Sequence, residues 1–254
     1  MSSTLKLLIA GWKSISLIDV HGYSSFTLWT CGCNLKCPFC HNWRIANRDS
    51  TICKYVDITD LVEEVLISKP LITYLHVTGG EPLLQWQGLM KLFEKTRSEV
   101  LNSLNSNLTF YEPLRKLLER DLLHHVAVDL KIPPEELYGV PSSSVTILWK
   151  LFLKSLELLR KYNVQVELRI PVYRGLSREV LVFYFNQVCG LIDPDRTVVI
   201  LNQILGEPVV EPRDKGWCLE KCFPPEPLLA ELADAIKSYG FSRVYVKSIL
   251  GYSQ

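Results

Sequence analysis

Net charge is nearly absent from this sequence: 28 Lys and Arg face 27 Asp and Glu, leaving +1 over 254 residues. That balance excludes the broad basic footprint of a dedicated nucleic-acid binder. Long apolar runs are missing as well, and none approaches the roughly 20 residues that cross a bilayer. Residues 1–10 carry Lys6 inside their apolar stretch and lack the layout of a signal peptide. No internal repeat, low-complexity tract or Ser/Gly-rich linker interrupts the chain. The expectation is a soluble, cytoplasmic protein forming a single domain over residues 1–254, without nucleic-acid or membrane partners. What is present supports a folded chain: 48% of residues are apolar and 22% charged, enough for a large core.

Short β-rich runs alternate with longer helical patterns. Strands are expected at 25–30, 71–77, 100–104, 126–130, 164–170, 197–201 and 243–246. Helices are expected at about 59–68, with Asp60 and Glu63 at capping-box spacing, and at 86–97. Others follow at 113–120 behind an N1 proline, then at 146–162, 178–188 and 227–239. Repeated strand–helix alternation means parallel strands joined by crossover helices, in a doubly wound sheet or an α/β barrel. In both, reactive groups gather at the carboxyl ends of strands. The cysteine cluster after Thr30, the Thr78-Gly79-Gly80-Glu81-Pro82 run, Asn105, Asp129 and Pro171 all sit there.

Eight cysteines stand at 31, 33, 37, 40, 53, 189, 218 and 222, four of them within ten residues. A disulfide scaffold is usually short and secreted, so clustered cysteines in a chain of this size point to metal or redox chemistry. Thiolates at close spacing let one loop wrap several ligands around one iron–sulfur centre. Zinc is the competing reading, with Cys31 or His41 completing a tetrahedron. Cys218 and Cys222 form a thiol pair, a disulfide, or part of a second centre with Cys31 or Cys53.

Cys33-x3-Cys37-x2-Cys40, with Phe39 before the last cysteine, resembles the signature of the radical S-adenosylmethionine (SAM) enzymes. Thr78-Gly79-Gly80-Glu81-Pro82 resembles that superfamily's second signature. Gly11-Trp12-Lys13, Ser16 to Asp19, Gly32 to Asn42 and Gly206 to Cys218 resemble archaeal-type activating proteins of anaerobic ribonucleotide reductase. The resemblance implies an α/β fold, a partial (β/α)6 TIM-like barrel. Its core would span about residues 15–205, with a C-terminal extension over about 206–254.

It implies a 4Fe–4S cluster on Cys33, Cys37 and Cys40, with the open iron chelating SAM. Reductive cleavage would give a 5′-deoxyadenosyl radical, making the protein an oxidoreductase of anaerobic chemistry. SAM contacts would come from Phe39, Thr78, Gly79, Gly80, Glu81, Asn105 (or Asn107), Asp129, Lys131 and Arg169. Asp129 and Lys131 share one side of a strand end, being two residues apart. Leu108 replaces a glycine usual in the family, which bears on the turn after Asn107. The target implied is a glycyl-radical enzyme such as anaerobic ribonucleotide reductase, with a ferredoxin or flavodoxin as low-potential electron donor. The alternatives are a radical SAM enzyme acting on a small molecule, like 7-carboxy-7-deazaguanine synthase, and a non-catalytic zinc-binding protein.

Overall fold

The computed structural model describes residues 5–253, which fall into two compact units. The first comprises the chain up to Asn34 together with Arg44–Ala127; the second comprises Leu35–Trp43 and Val128 onward. The chain passes between units within the cysteine loop and again inside a strand.

The first unit opens with β1 (Lys6–Val20) and β2 (Tyr23–Thr30), an antiparallel pair. A short helix, α1 (Trp43–Ala46), and β3 (Lys54–Asp57) lead into α2 (Ile58–Ser68). Then β4 (Tyr74–Gly79), α3 (Trp86–Thr96), β5 (Leu101–Asn105), α4 (Tyr111–Glu119) and β6 (His125–Asp129) alternate. Strands β2, β4, β5 and β6 run parallel in that order, while β1 and β3 extend the β2 edge antiparallel.

Burial explains the elements. Five of the six β4 residues are buried, as a central parallel strand requires. Helix α3 buries Gly88, Leu89, Leu92, Phe93 and Thr96, one stripe at helical spacing. Gly88 costs that helix roughly 1 kcal/mol against alanine, but a methyl there would stand 2.7 Å from the Leu7 side chain of β1. One face of this sheet is polar inside: the Ser103 hydroxyl lies 2.7 Å from His76 Nδ1 and 2.8 Å from His125 Nδ1.

The second unit contains α5 (Pro134–Leu137), α6 (Ser142–Arg160), β7 (Gln165–Val172), α7 (Arg178–Val188) and β8 (Thr197–Gln203). Helices α8 (Lys215–Lys221) and α9 (Glu226–Lys237) precede β9 (Val244–Ser248) and β10 (Gly251–Ser253). Strands β7, β8 and β9 are parallel neighbours, and β10 folds back antiparallel on β9. Among the described residues, no helix is long and apolar enough to cross a membrane.

The alternation expected from sequence is borne out, with differences at the ends. Helix α2 begins at Ile58, because β3 feeds directly into it and the Ile58 amide bonds Leu5 O at 3.1 Å. Pro70 turns Lys69–Leu71 into a single 3₁₀ turn, which delays β4 to Tyr74. Helix α4 starts at Tyr111, so Pro113 sits inside its first turn, where a missing amide is tolerated. Strands β1, β3 and β10 and the short helices α1, α5 and α8 were not expected. Strand β1 changes register against β2 at three places, which breaks the alternation that marks a strand in sequence.

Buried Asn102 ties this packing together: it donates to Phe93 O at 3.3 Å and Leu122 O at 3.0 Å and pairs with Thr96 Oγ1 at 3.1 Å. Asn102→Ala removes all three bonds from a buried setting and should lower the unfolding free energy by about 1–3 kcal/mol, measured by urea denaturation.

Candidate active site

In the first unit, the end of β2 and the start of the cysteine loop are fixed by main-chain bonds. Cys31 N donates to Leu8 O at 2.9 Å, and Gly32 N to Ile45 O at 3.0 Å. Gln85 clasps the same region, bonding both polar groups of the Leu8 backbone and Cys31 O. Behind the loop lies the Gly79–Gly80 turn. Gly80 N bonds Thr30 O at 2.8 Å and Glu81 N bonds Gly32 O at 2.7 Å. A methyl at Gly80 would fall on the Gly32 carbonyl, and one at Gly79, with φ +114°, on the Thr30 backbone. Only glycine fits either position.

Glu81 is fully buried, and its carboxylate accepts from Leu83 N, Ser106 Oγ and Asn107 N. Its oxygens therefore hold the loop after β5 against the glycine turn. Asn105 donates to Thr78 Oγ1 at 3.0 Å, which puts both side chains on one face of the strand ends. Asn107 donates to Asn34 Oδ1 at 2.8 Å, and Asn34 in turn donates to Thr109 Oγ1 at 2.9 Å. The residue following Cys33 is thus anchored to the β5 loop. Leu108 takes the left-handed φ of +57° that a glycine would adopt freely. Its fully buried side chain offsets a cost of roughly 1–2 kcal/mol.

In the second unit, Cys37 is buried and the Lys36 amide bonds Tyr138 O at 2.9 Å. Cys40 N closes a turn onto Cys37 O at 3.2 Å. Burial pushes the Cys40 thiol up, while the Arg213 guanidinium, which also hydrogen-bonds it, and the Lys131 ammonium favour its thiolate. Phe39 packs on Trp217 with ring centres 6.2 Å apart.

At the end of β6, Lys131 Nζ lies 2.8 Å from Asp129 Oδ2. Burial raises the Asp129 pKa, but the charges of Lys131 and Arg169 outweigh it and hold the carboxyl below its usual range. Arg169 pairs with buried Glu167 at 2.6 Å, and its backbone carbonyl accepts from Leu130 N at 2.7 Å. The structure thus gathers Asp129, Lys131 and Arg169 into one group.

Two disulfides are present, Cys31–Cys53 and Cys218–Cys222. Cys218–Cys222 is one of the alternatives the sequence leaves open for that pair, whereas Cys31–Cys53 was not expected; together they remove Cys31 and Cys53 from any second metal centre. Cys31 is likewise unavailable to complete a zinc tetrahedron. Cys33, Cys37, Cys40 and Cys189 take part in no disulfide. Among the described residues, no three His, Cys, Asp or Glu side chains group around a point that could hold one metal ion. A four-iron cluster makes a different demand, because each thiolate binds a separate iron. Three cysteines of one loop that are in no disulfide, one of them flanked by cations, would suit that donor set and would leave one iron open.

Sequence reasoning missed Arg213, Lys247 and Asn34. Arg213 lies in an irregular segment without periodicity. Lys247, whose charge bears on His41, stands in the last two residues of β9, and the strand-end rule that picked out Asp129 could have found it.

Gly80→Ala should cost about 1–3 kcal/mol through overpacking, whereas Gly190→Ala, with nothing within 4 Å of the new methyl, should stay within about 0.5 kcal/mol; denaturant unfolding compares the two. The lowered Asp129 pKa gives stability that is fully present above the unfolded value of about 3.9 and lost as pH falls through the folded value. The stability gap between wild type and Asp129→Asn should therefore be widest above about pH 4 and close below it, as read from urea unfolding across pH.

Comparison with known proteins places this geometry. The family model of the radical SAM superfamily matches residues 27–184. A protein of Methanocaldococcus jannaschii described as a glycyl-radical enzyme activating enzyme is 28% identical over 173 residues, covering 65% of this chain and 68% of its own length. A Haemophilus influenzae protein of like description is 28% identical over 132 residues, 52% of this chain and 50% of its own. The pyruvate formate-lyase-activating enzyme of Staphylococcus aureus is 35% identical over 92 residues, 34% of this chain and 35% of its own. The chain thus spans about half or less of the latter two. Among solved structures, SuiB of Streptococcus suis with its precursor peptide SuiA superposes with a TM-score of 0.63 at 15% identity, over 85% of this chain and 47% of that one. A radical SAM methyltransferase of Sphaerobacter thermophilus gives 0.58 at 12% identity, over 88% and 65%; both likenesses concern the fold. This chain belongs to the radical SAM superfamily, whose cofactors are a 4Fe–4S cluster and S-adenosylmethionine.

Proposed function

We propose that this protein generates a glycyl radical on a partner enzyme, of which an anaerobic ribonucleotide reductase is the form best suggested by its sequence. Cys33, Cys37 and Cys40 would hold the cluster. The observation that carries the reading is that none of these three cysteines, all on one loop, is in a disulfide, while the neighbouring Cys31 is bound to Cys53. When bound, the cluster and SAM supply a 5′-deoxyadenosyl radical by one-electron cleavage.

The remaining work belongs to the chain's own residues. Gly79 and Gly80 would let main-chain carbonyls approach the methionyl ammonium, since no side chain intervenes there. Asn105 and Thr78 would contact SAM from the same face. Lys131 and Arg169 would receive a carboxylate, Arg169 in the bidentate manner open to guanidinium, and Asp129 an ammonium. Phe39, resting on Trp217, would shield the loop from water. Glu81 would act indirectly, by setting the loop that carries Asn107. A low-potential donor of the ferredoxin or flavodoxin class would supply the electron, in the cytoplasm. The names of the relatives, glycyl-radical and pyruvate formate-lyase activating enzymes, support the partner class.

Electron paramagnetic resonance on anaerobically reconstituted, dithionite-reduced protein tests this reading. A 4Fe–4S signal that changes on adding SAM is expected, followed by a glycyl doublet when the anaerobic reductase is mixed in. Cys37→Ala should lose the cluster signal and SAM cleavage, while Cys189→Ser should keep both. Normal cleavage by Cys37→Ala would sink the ligand assignment.

A further inference from the structure

Resting on that ligand assignment, we infer that Arg213 is a positioning residue for the cluster: its guanidinium donates a hydrogen bond to the Cys40 sulfur and raises the reduction potential of the centre. The residue lies outside the segment matched by the family model, which ends at 184. It is carried there by a strap built from the second unit itself. Arg213 N donates to Cys40 O at 3.1 Å, and Asp214 N to Pro38 O at 2.9 Å. Asp214 then caps α8 by accepting from Trp217 N at 2.9 Å. Trp217 packs its ring on Phe39 and donates Nε1 to Glu136 Oε1 at 3.1 Å. The Cys218–Cys222 disulfide closes the far end of the same helix, where Gly206 packs against both sulfur-bearing residues.

The strap is therefore anchored by main-chain bonds and by Trp217, so the Arg213 side chain is not needed to hold it. Its Nε is buried. A guanidinium stays charged in any protein setting, and burying one is costly unless an anion or acceptor faces it. An ionised cysteine sulfur is such an acceptor. Hydrogen bonds to cluster sulfurs and nearby positive charge favour the reduced state, which carries one more electron. Lys131, which also acts on Cys40, adds to the same field. Arg213 would thus ease delivery of the electron from a donor of limited reducing power.

The test uses the reconstituted full chain. Wild type, Arg213→Gln and Arg213→Lys are loaded with iron, equilibrated anaerobically at a series of fixed potentials, and the reduced fraction is read by EPR. At equal iron content, Arg213→Gln should show a reduced-to-oxidised ratio about tenfold lower at a given potential, with Arg213→Lys recovering part of the loss. An unchanged ratio in Arg213→Gln overturns the inference. Should that variant take up no iron, the wild-type protein decides: grown on guanidinium-15N arginine, its reduced cluster should show a 15N coupling in pulsed EPR that Arg213→Lys lacks. No such coupling, or one that persists in Arg213→Lys, overturns the inference. Failure of the ligand assignment itself reads differently, as a cluster that persists in Cys37→Ala.

Discussion

One carbonyl oxygen, that of Gly32, sets the first half of the site. It accepts the Glu81 amide at 2.7 Å while the Gly80 α-carbon packs against it. This contact forces glycine at position 80, and the neighbouring contact with Thr30 forces it at 79. From there the consequences spread along the chain. Glu81, drawn inward, organises Ser106 and Asn107, and Asn107 returns to Asn34 beside Cys33. Gly32 and Asn34, at the start of the cysteine loop, and the loop after β5 are thereby held by one closed circuit of bonds.

Charge plays the corresponding part in the second unit. Asp129 and Lys131 at the end of β6, with Glu167 and Arg169 inside β7, form a balanced set, each side chain held by an opposite partner. Arg213 and Lys247 add positive charge to the neighbourhood of Cys40 and His41. Such a field favours thiolates and carboxylates arriving from a ligand. The two disulfides divide the cysteines by role, because they commit Cys31, Cys53, Cys218 and Cys222 to the scaffold.

The parallel strands were legible because buried strands make short apolar runs that end in chemistry-bearing residues, as Val126 to Asp129 shows. Strand β1 was not, since an antiparallel edge strand with repeated register changes loses its alternation. Helix α8 escaped because seven residues give too few turns for a periodic stripe. Leu108 was identified as a departure from the family pattern, yet its left-handed backbone follows from the tertiary packing that buries it.

The sequence by itself determined the family chemistry: Cys33, Cys37 and Cys40 at fixed spacing, the Thr78–Pro82 run behind a strand, and the charged strand end at Asp129 and Lys131. Local spacing carries that information, because one short loop supplies all three thiols. Only the tertiary structure decided which cysteines are paired, that Glu81 faces the protein, and that Arg213 meets Cys40 across more than 170 residues of chain. Contacts between distant segments depend on how the strap and the loop are brought together, and no local pattern encodes that meeting.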